Sequence, residues 1–430
     1  MRGVVTLGAG ISGLGFSYHY NHLTDIYEQE KSWGGNCRSH FVNGYTFDEG
    51  IHISFTRDAC VREIFARSVA EQYRELAPVV YNVYESHWVR HPVEINLKGL
   101  PTDLIRKCLL DFIRSEQDRD KPAENYHEWL VSNFGQSLTQ HFHGAYTRKY
   151  WTVEAQYLTT DWIEQRIYRP SLEEVLRGAI TNQVIQAYYI NLFRYPRQGG
   201  YQSFLTALVE GAAIKYSHKL IELDLKNKKL SFENGFQCYY DTVISSIPLP
   251  EIIRCIKDCP LEVKEAASRL THTSVVLVNL GVKREDIAKC HWFYLYDEGL
   301  LPARVHFPNS LSGCNAPPGY TGIQAEIYYS TLKPLDASRA NLLERTIANL
   351  GQIGILAQDD NIDFSGIREI PYANIIFDHN YRKNRGVILD FLGKNRIYCI
   401  GRYGKWDYLW SDQSLLSGKR AAERLGGDLK

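Results

Sequence analysis

The chain has 430 residues, enough for about two or three compact domains, with 49 basic and 49 acidic side chains and a formal net charge of +0. This balance excludes the electrostatic signature of nucleic-acid binding or of binding to an anionic membrane surface, so an anionic ligand would have to meet local arginines. Nine cysteines without a Cys-x-x-Cys pair predict reduced thiols and no metal site, and the lack of a signal peptide or of an apolar run near ~20 residues predicts a cytoplasmic protein with no membrane partner.

The first predicted elements form a dinucleotide-binding unit. An apolar strand at residues 4–7 leads into the glycine-rich segment 8–13, and a second predicted strand at residues 24–28 ends in an acid 20 positions after the first glycine. Glycine is needed where the strand turns, where backbone meets a pyrophosphate and where the helix packs on the strand, and the acid is spaced to bind a ribose hydroxyl. The alternative is a glycine-rich turn without a ligand. The candidate cofactor residues here are Gly8, Gly10, Ser12, Gly13 and Glu28.

A second glycine pair follows this acid, in the segment 34–39 with the sequence Gly-Gly-Asn-Cys-Arg-Ser. An acid followed shortly by Gly-Gly-x-x-Arg-Ser resembles the second nucleotide-contacting turn of the flavoprotein group that includes amine oxidases, protoporphyrinogen oxidase, phytoene desaturase and UDP-galactopyranose mutase. Residues 242–248 and 397–402 resemble two further elements of that group, the last of which returns to the flavin. The resemblance implies FAD as the cofactor and adds the candidate cofactor residues Gly34, Gly35, Asn36 and Arg38.

Helical periodicity replaces strand signals between about residue 100 and residue 188. Strand patterns return as a predicted β-meander at 214–216, 219–223, 229–232 and 241–244, with Asn234-Gly235 as a hairpin turn, and as longer strands at 274–280 and 322–329. We therefore expect an α/β protein: a Rossmann-type FAD-binding domain assembled from discontinuous segments, with a helical insertion and a β-sheet substrate domain. The predicted segments are 1–80 (FAD binding), 81–190 (substrate-side strand, turn and helical insertion), 191–255 (FAD-domain meander and return), 256–375 (substrate-side sheet) and 376–430 (FAD-domain closing segment).

Arginines and tyrosines in aromatic segments form a second group of candidate residues. These segments are 145–151, 158–167, 193–200, 292–297 with Arg304 beyond it, 377–381 and 401–408. In order and spacing they resemble the UDP-galactopyranose mutase family, especially its eukaryotic-type branch, over nearly the whole chain. Guanidinium forks and phenol hydroxyls are suited to holding the diphosphate of a sugar nucleotide.

The resemblance implies roles for individual residues. Arg166 and Arg304 match the two arginines that hold the diphosphate, and His52 matches a histidine against the flavin ring, which makes these three the candidate catalytic residues. Substrate-contacting positions are matched by Trp151, Tyr294, Tyr381 and Tyr408, and flavin-proximal positions by Arg402, Asp412 and Gln413. The residues alone are also compatible with Arg166 on a solvated helix face, Arg304 in a surface loop, and His52 as a packed histidine with satisfied hydrogen bonds.

Three segments depart from the family pattern. His91 and Glu94 stand where the mutases carry the aromatic and the amide of a uracil-facing Tyr-Pro-Phe-Gln. A carboxylate only accepts hydrogen bonds, so Glu94 would suit the N1–H and the amine of guanine; the alternative places both residues on a solvated pocket rim. Residues 412–415 keep only the glutamine of the family's Asn-Gln-Asp-His, and residues 308–311 lack an expected tyrosine.

The function implied by the resemblance is a non-redox isomerisation. With reduced FAD, such a mutase interconverts the pyranose and furanose forms of a nucleotide-diphosphate sugar, as in cell-surface polysaccharide biosynthesis. The expectation includes NAD(P)H as an external reductant and a homo-oligomeric state. The alternative is an FAD-dependent oxidoreductase of the amine-oxidase or desaturase type, which would need an apolar or aromatic-caged pocket. A flavin-binding subunit without catalysis would leave the arginines and tyrosines unexplained.

Overall fold

The computed structural model describes residues 3–119, 121–163, 166–181, 190–335 and 338–427. Within these ranges the strands are, in chain order, β1 Val4–Leu7, β2 Asp25–Tyr27, β3 Ser39–Val42, β4 Tyr45–Asp48, β5 Tyr73–Leu76, β6 Val80–Tyr84, β7 His87–Arg90, β8 Phe193–Pro196, β9 Ala213–Lys215, β10 Leu220–Asp224, β11 Lys229–Phe232, β12 Gln237–Tyr239, β13 Thr242–Ser245, β14 His272–Val282, β15 Trp292–Leu295, β16 Arg304–His306, β17 Thr321–Tyr329, β18 Ile362–Ile375 and β19 Ile397–Cys399. The α-helices are α1 Ile11–His19, α2 Ala59–Ser68, α3 Thr102–Ser115, α4 Tyr126–Leu138, α5 Gly144–Tyr150, α6 Leu172–Ile180, α7 Thr206–Val209, α8 Leu249–Cys255, α9 Leu261–Ser268, α10 Pro308–Leu311, α11 Arg339–Gln352, α12 Tyr381–Lys394, α13 Gly401–Lys405 and α14 Ser411–Gly427.

A five-stranded parallel sheet in the order β19-β13-β1-β2-β9 carries the start and the end of the chain. Its central strands are buried on both faces, as parallel sheets require. On one face Val243 packs in the same apolar cluster as Ile388 of α12. On the other face Ile244 packs with Phe16 of α1 and Ala422 of α14. The predicted α/β architecture is thereby confirmed, with the strands of this sheet drawn from distant segments.

A second sheet has seven strands in the order β18-β14-β17-β16-β15-β6-β7. Its strand pairs are antiparallel except for β15 and β6, which run parallel. The strands predicted at residues 274–280 and 322–329 are its β14 and β17. The register places Tyr294, Arg304 and Glu326 side by side on β15, β16 and β17. Because residues in register on neighbouring strands share a face, these three side chains lie in one row.

The predicted four-stranded meander is wrong at both ends. Strands β10, β11 and β12 form a three-stranded antiparallel sheet, and the hairpin turn at Asn234-Gly235 is confirmed between β11 and β12. The flanking strands belong elsewhere, since β9 pairs with β2 and β13 lies between β1 and β19. A short apolar run has the same sequence pattern in a hairpin and in a parallel sheet. Only the long-range strand pairing distinguishes the two.

Helices α3 to α6 form the predicted helical insertion; residues 182–189, at its predicted end, lie outside the described residues. The chain departs from helical geometry at Gly135 within α4, where φ is +78°, and then passes through a π-helical turn at Thr139–His143 into α5. This turn brings His143 beside Glu94. Helix α5 then lies against β17, where the rings of Tyr150 and Tyr328 are 4.7 Å apart.

Helix α6 packs closely on a 3-10 turn at Val93–Ile95. The contact is made at Gly178, which is buried, and a Cβ there would lie 2.0 Å from the carbonyl oxygen of Ile95 and 2.2 Å from its carbonyl carbon. No side-chain rotation can relieve such an overlap because the atoms it meets are backbone. Because Gly178 has no side chain, helix α6 can pack directly against the turn that carries Glu94.

We expect Gly178→Ala to lower the free energy of unfolding by about 1–3 kcal/mol, because the added methyl group overlaps the backbone of Ile95. The matched control is Gly386→Ala in α12, where no atom lies within 4 Å of the added Cβ. That helix should gain up to about 1 kcal/mol from the better helix former. Equilibrium unfolding in urea measures both changes. Equal free energies of unfolding for the two variants would show that the close approach at Gly178 is not required.

Candidate active site

The first glycine segment turns from β1 into α1 at the carboxyl end of the parallel strands. Gly8 has φ +93°, and Gly10 is the N-cap of α1. A Cβ on Gly13 would lie 2.0 Å from the Gly8 carbonyl oxygen, so the protein's own packing requires that glycine. A Cβ on Gly10 would meet only the Cα of Gly35, at 3.8 Å. Gly10 therefore leaves open space beside the N-terminus of a helix, where unpaired N–H groups favour a phosphate.

Glu28 fixes the neighbouring end of β2. Its side chain is buried, and its two oxygens accept hydrogen bonds from the Ala9 N–H at 2.7 Å and the Glu30 N–H at 2.9 Å. The Ala9 carbonyl in turn accepts from the Gly34 N–H at 2.8 Å. The acid and both glycine segments are thus joined around one loop, in the arrangement that a dinucleotide site requires.

The second glycine segment has positive φ angles at Gly34 (+112°) and Gly35 (+57°), which L side chains rarely adopt. Asn36 Nδ2 donates to the Tyr403 hydroxyl at 3.0 Å, and Arg38 Nε donates to the Gly35 carbonyl at 3.1 Å. Asn36 and Arg38 therefore stabilise this turn and link it to α13, besides being candidates for cofactor contact.

The flavin-side candidates near the chain end meet the first glycine segment. Ser12 lies beneath the start of α13, where a Cβ on Gly401 would be 2.1 Å from its hydroxyl oxygen. Asp412 and Gln413 form the first turn of α14, and Gln413 Oε1 accepts from the Trp410 N–H at 2.9 Å. The closing segment thereby returns to the glycine loop.

Arg402 has both fixed and unused donors. Its Nη2 donates to Asn374 Oδ1 at 2.8 Å, and its guanidinium lies 4.4 Å from the centre of the Tyr408 ring. Its Nε is buried and has no hydrogen-bond partner among the described residues. A buried N–H without a partner is costly, so this donor points to a ligand at the site.

Arg304 is held by a bidentate ion pair. Its Nε donates to Glu326 Oε2 at 2.9 Å and its Nη2 to Glu326 Oε1 at 3.0 Å, and the Tyr328 hydroxyl donates to Oε2 at 2.7 Å. Burial by itself raises the pKa of Glu326, but the Arg304 charge more than offsets this, so its pKa lies below the ordinary value. The surface-loop alternative for Arg304 is wrong, because the residue begins β16 and its side chain is only 19% exposed.

Arg166 is surrounded by aromatic rings and carbonyl groups. Its Nη1 donates to the Trp162 carbonyl at 2.9 Å and its Nη2 to the Tyr408 carbonyl at 2.5 Å. The guanidinium lies 4.7 Å from the Tyr408 ring centre and 5.0 Å from that of Trp410. Arg166 is not on a helix, since residues 161–163 form a turn and α6 begins at residue 172. The aromatic stacking holds a cation close to Arg402, which shares the Tyr408 ring.

A row of tyrosines joins the two arginine-containing sides. Tyr150 donates to Asn374 Oδ1 at 3.0 Å, the same oxygen that binds Arg402. The ring centres of Tyr150 and Tyr146 are 5.3 Å apart, and Tyr146 meets Tyr294 edge to face, also at 5.3 Å. With the contact of Tyr150 to Tyr328, this row connects Arg402 with the Arg304–Glu326 pair.

Trp151 and Tyr381 lie behind this row in the apolar core. Both are buried, and each packs on Phe377, at ring-centre distances of 6.1 and 4.9 Å. Trp151 also lies 5.6 Å from the Tyr408 ring. The structure therefore places Tyr408 at the site and Trp151 and Tyr381 in the layer that supports it; substrate contact by these residues stays a prediction.

His52 is brought next to the Arg304 group by the segment that follows β4. The Ile51 N–H lies 3.3 Å from Glu326 Oε1, and His52 Nδ1 lies 3.0 Å from the Gly50 carbonyl oxygen. The His52 ring is 5.3 Å from Tyr201. The segment that carries His52 thus meets Glu326, the partner of Arg304, although these residues come from separate parts of the chain.

His91 and Glu94 extend the site beyond Tyr294. The His91 ring lies 5.0 Å from the Tyr294 ring, and its Nδ1 is 3.0 Å from Asn82 Oδ1. Glu94 is buried, with Oε1 3.0 Å from His143 Nε2, while its Oε2 has no hydrogen-bond partner in the described part of the chain. The solvated-rim alternative is therefore wrong for Glu94, because its carboxylate is enclosed and one acceptor is unused.

Glu326 and Tyr328 were not predicted as site residues, and Tyr146 and Tyr150 were included only within the candidate segment 145–151, without individual roles. Tyr146 and Tyr150 are four positions apart on one helix face, and Glu326 and Tyr328 alternate along one strand. Such spacings show that two side chains share a face of a helix or strand, but they do not show which other element that face contacts. Within the described ranges there is no cluster of three or more metal-ligating side chains. None of the described helices combines the length and the apolar character needed to cross a bilayer.

Solved structures share this architecture. The crystal structure of a reduced UDP-galactopyranose mutase is 24% identical, with a TM-score of 0.93, and covers 99% of this chain and 94% of its own. A putative protoporphyrinogen oxidase from Exiguobacterium sp. 255-15 is 15% identical, with a TM-score of 0.77 and 99% coverage of both chains. A putrescine oxidase double mutant is 13% identical, with a TM-score of 0.65 and coverage of 99% and 98%.

The family model for flavin containing amine oxidoreductases matches residues 19–426. A comparison with curated protein sequences finds no significant match. The family match extends over the glycine pair at 34–35, the seven-stranded sheet and the closing segment, so it includes both sides of the candidate active site. The chain therefore belongs to the flavin containing amine oxidoreductase family.

Proposed function

We propose that this flavoprotein uses reduced FAD to interconvert the pyranose and furanose forms of a nucleotide-diphosphate sugar. The observation that carries the proposal is a row of tyrosines that ends at Arg304 on one side and, through Arg402 and the Tyr408 ring, at Arg166 on the other. Two guanidinium groups and several phenol hydroxyls suit a diphosphate, whereas an oxidase substrate of the amine or polyene type would favour an apolar cage. The fold shared with a UDP-galactopyranose mutase is consistent with this choice.

FAD fits the two glycine segments. The open space at Gly10 accepts a pyrophosphate at the N-terminus of α1, Glu28 lies where a ribose hydroxyl is bound, and Arg402 offers an unused N–H. When bound, reduced FAD would supply a nucleophilic ring nitrogen for the isomerisation. We assign His52 to the flavin side of the site because its segment contacts Glu326 there.

The arginines would hold the diphosphate while the sugar rearranges. Glu326 occupies two of the five N–H donors of Arg304, which leaves the others for phosphate oxygens. Arg166, fixed by its two carbonyl partners, adds a second positive charge on the Tyr408 side. If the released diphosphate stays bound near the sugar, the bond between them can form again within one complex. Such positioning lowers the activation barrier.

We place the nucleobase on the His91 side, because His91 contacts Tyr294 and Tyr294 is the strand neighbour of Arg304. The unused oxygen of Glu94 can only accept a hydrogen bond. Burial by itself raises the pKa of Glu94, but the hydrogen bond and charge of His143 outweigh it, so the pKa lies below the ordinary value and the group is a carboxylate at neutral pH. The adjacent N1–H and amine donors of guanine therefore suit this carboxylate better than the edge of uracil, which has one N–H between two carbonyl acceptors.

An isomerisation predicts that product forms without stoichiometric consumption of a reductant or of oxygen. After reduction with dithionite under anaerobic conditions, the protein should isomerise one member of a panel of nucleotide sugars. Product formed is then compared with NAD(P)H or oxygen consumed. We expect many product molecules per reducing equivalent and no activity with oxidised flavin. One equivalent of reductant or oxygen per turnover would instead identify an oxidoreductase.

Gly10→Val tests the cofactor site without disturbing the fold. The first added carbon meets no protein atom closer than 3.8 Å, so we expect a folded protein that has lost bound FAD because the side chain fills the pyrophosphate space. Flavin absorbance per mole of protein and the far-ultraviolet circular dichroism spectrum report cofactor and fold separately. A Gly10→Val protein with a full complement of FAD would contradict the assignment, as would a wild-type protein that cannot be reconstituted with FAD.

Arg166→Ala should weaken nucleoside-diphosphate binding by about 2–4 kcal/mol if the charge is desolvated in the complex, with Arg166→Lys restoring only part of the loss. Arg304→Ala would leave Glu326 buried without its partner, so Arg304→Gln/Glu326→Gln is the cleaner variant and should show a similar loss. The exposed Arg269, paired with Glu265 on α9, provides the control Arg269→Gln.

Isothermal titration of the FAD-loaded variants with GDP, UDP, dTDP and CDP measures these effects. We expect GDP to bind most tightly to the wild type, with the preference reduced in Glu94→Gln. Unchanged nucleoside-diphosphate affinity in both arginine variants would make those arginines structural. A UDP preference that Glu94→Gln does not alter would rule out base recognition by Glu94 and leave the diphosphate assignment intact.

A further inference from the structure

A cavity of about 180 Å³ is lined by residues of α5, β17 and α11, among them Tyr328, whose hydroxyl donates to Glu326. Among its lining residues are Lys149 of α5, Leu300 of the β15–β16 connection, Lys333, and Leu342 and Arg345 of α11. Its volume is far above the roughly 10–15 Å³ needed for one water molecule. The cavity is therefore large enough for a small solute.

Lys149 is the buried cation of this cavity. The residue is 6% exposed, and its Nζ donates to the Asp297 carbonyl at 2.7 Å and the Leu300 carbonyl at 2.8 Å. An ammonium group has three donors, so one N–H remains without a partner shown in the structure. Lysine is rarely buried unless its charge is paired, and here both observed acceptors are neutral carbonyls.

The other charges around the cavity favour an anion. Lys333 and Arg345 are exposed side chains at its mouth. Glu298 also lines the cavity, but it is already paired with Arg148 at 2.6 Å. Among the described lining residues, three cations therefore stand against one carboxylate whose charge is used elsewhere.

We propose that this cavity binds an oxyanion, the phosphate or carboxylate group of a small metabolite, with Lys149 at its floor and Lys333 and Arg345 at its mouth. The leucines of its walls leave room for a short apolar body on the same molecule. The cavity shares Tyr328 with the candidate site, but Lys149, Lys333 and Arg345 are not assigned to the diphosphate, so the proposal goes beyond the proposed function.

Through Lys149, an anion bound in this cavity would affect the connection between two strands of the candidate active site. Asp297 and Leu300 lie in the connection between β15 and β16, the strands that carry Tyr294 and Arg304. Burial lowers the pKa of Lys149 to about 7, with Asp297 and Glu298 opposing and Lys333 reinforcing the shift. An anion beside Lys149 stabilises its charged form and, with it, both hydrogen bonds that hold this connection.

Thermal unfolding of the FAD-loaded protein in sodium sulfate tests the site. Sulfate keeps its charge between pH 6 and pH 8.5, and sodium chloride maintains the ionic strength. The informative variant is Lys333→Gln/Arg345→Gln, which changes only exposed side chains; the matched control is Arg106→Gln/Lys264→Gln, which removes one exposed arginine and one exposed lysine elsewhere. Sulfate also stabilises proteins by exclusion from their surface, and this non-saturating part is common to all variants.

At pH 6 we expect a saturable rise in the unfolding temperature for the wild type and the control that is absent from Lys333→Gln/Arg345→Gln. At pH 8.5 the saturable part should shrink, because Lys149 loses its proton as the pH passes about 7. Parallel titrations with inorganic phosphate and with butyrate distinguish a phosphate from a carboxylate ligand.

Identical sulfate curves for the wild type and Lys333→Gln/Arg345→Gln at pH 6 would overturn the proposal. The same holds if a saturable rise is equal in all variants, since sulfate would then be binding elsewhere, including at the diphosphate arginines. The measurement does not depend on isomerase activity, so its failure is distinct from failure of the proposed function.

Discussion

The ion pair between Arg304 and Glu326 is the interaction on which the candidate site depends. A carboxylate this deeply buried is stable only when its charge is matched and its oxygens are hydrogen-bonded. Arg304 supplies the charge through two parallel hydrogen bonds, and the Tyr328 hydroxyl and Ile51 N–H complete the coordination. One carboxylate thus joins the tyrosine row, Arg304 and the segment of His52. Any change in the register of β16 and β17 would separate all three.

A second buried carboxylate, Asp48 at the end of β4, connects the strand pair β3–β4 to β8 and, through its main chain, to the seven-stranded sheet. It accepts hydrogen bonds from the Ser39 hydroxyl at 2.5 Å and the Tyr195 hydroxyl at 2.7 Å, and its carbonyl accepts from Gln324 Nε2 at 2.9 Å. Burial raises the pKa of Asp48 while these hydrogen bonds act in the opposite direction. Because Asp48 ends β4, just before the segment of His52, the network fixes the start of that segment against β17.

The architecture is shared with oxidases, so the fold alone does not select the reaction. The choice between reactions therefore depends on the arginines and tyrosines of the candidate site. Arg166 and Arg402 stack on the same tyrosine, Tyr408, and Arg304 lies at the other end of the row. Arginines held by aromatic faces and carbonyl groups keep positive charge at the site, which supports the proposed polyanionic substrate over an apolar one.

The sequence by itself determined the local elements and the family. The glycine segments, the acid that follows at the expected spacing, the Asn234-Gly235 turn and the helical insertion all depend on residues close together in the chain, where spacing and turn chemistry are decisive. Only the tertiary structure decided which strands entered the parallel sheet, that Glu326 is the partner of Arg304, and that His143 encloses Glu94. Those pairings join residues far apart in the chain, and they follow from strand register and helix packing, which no local pattern specifies.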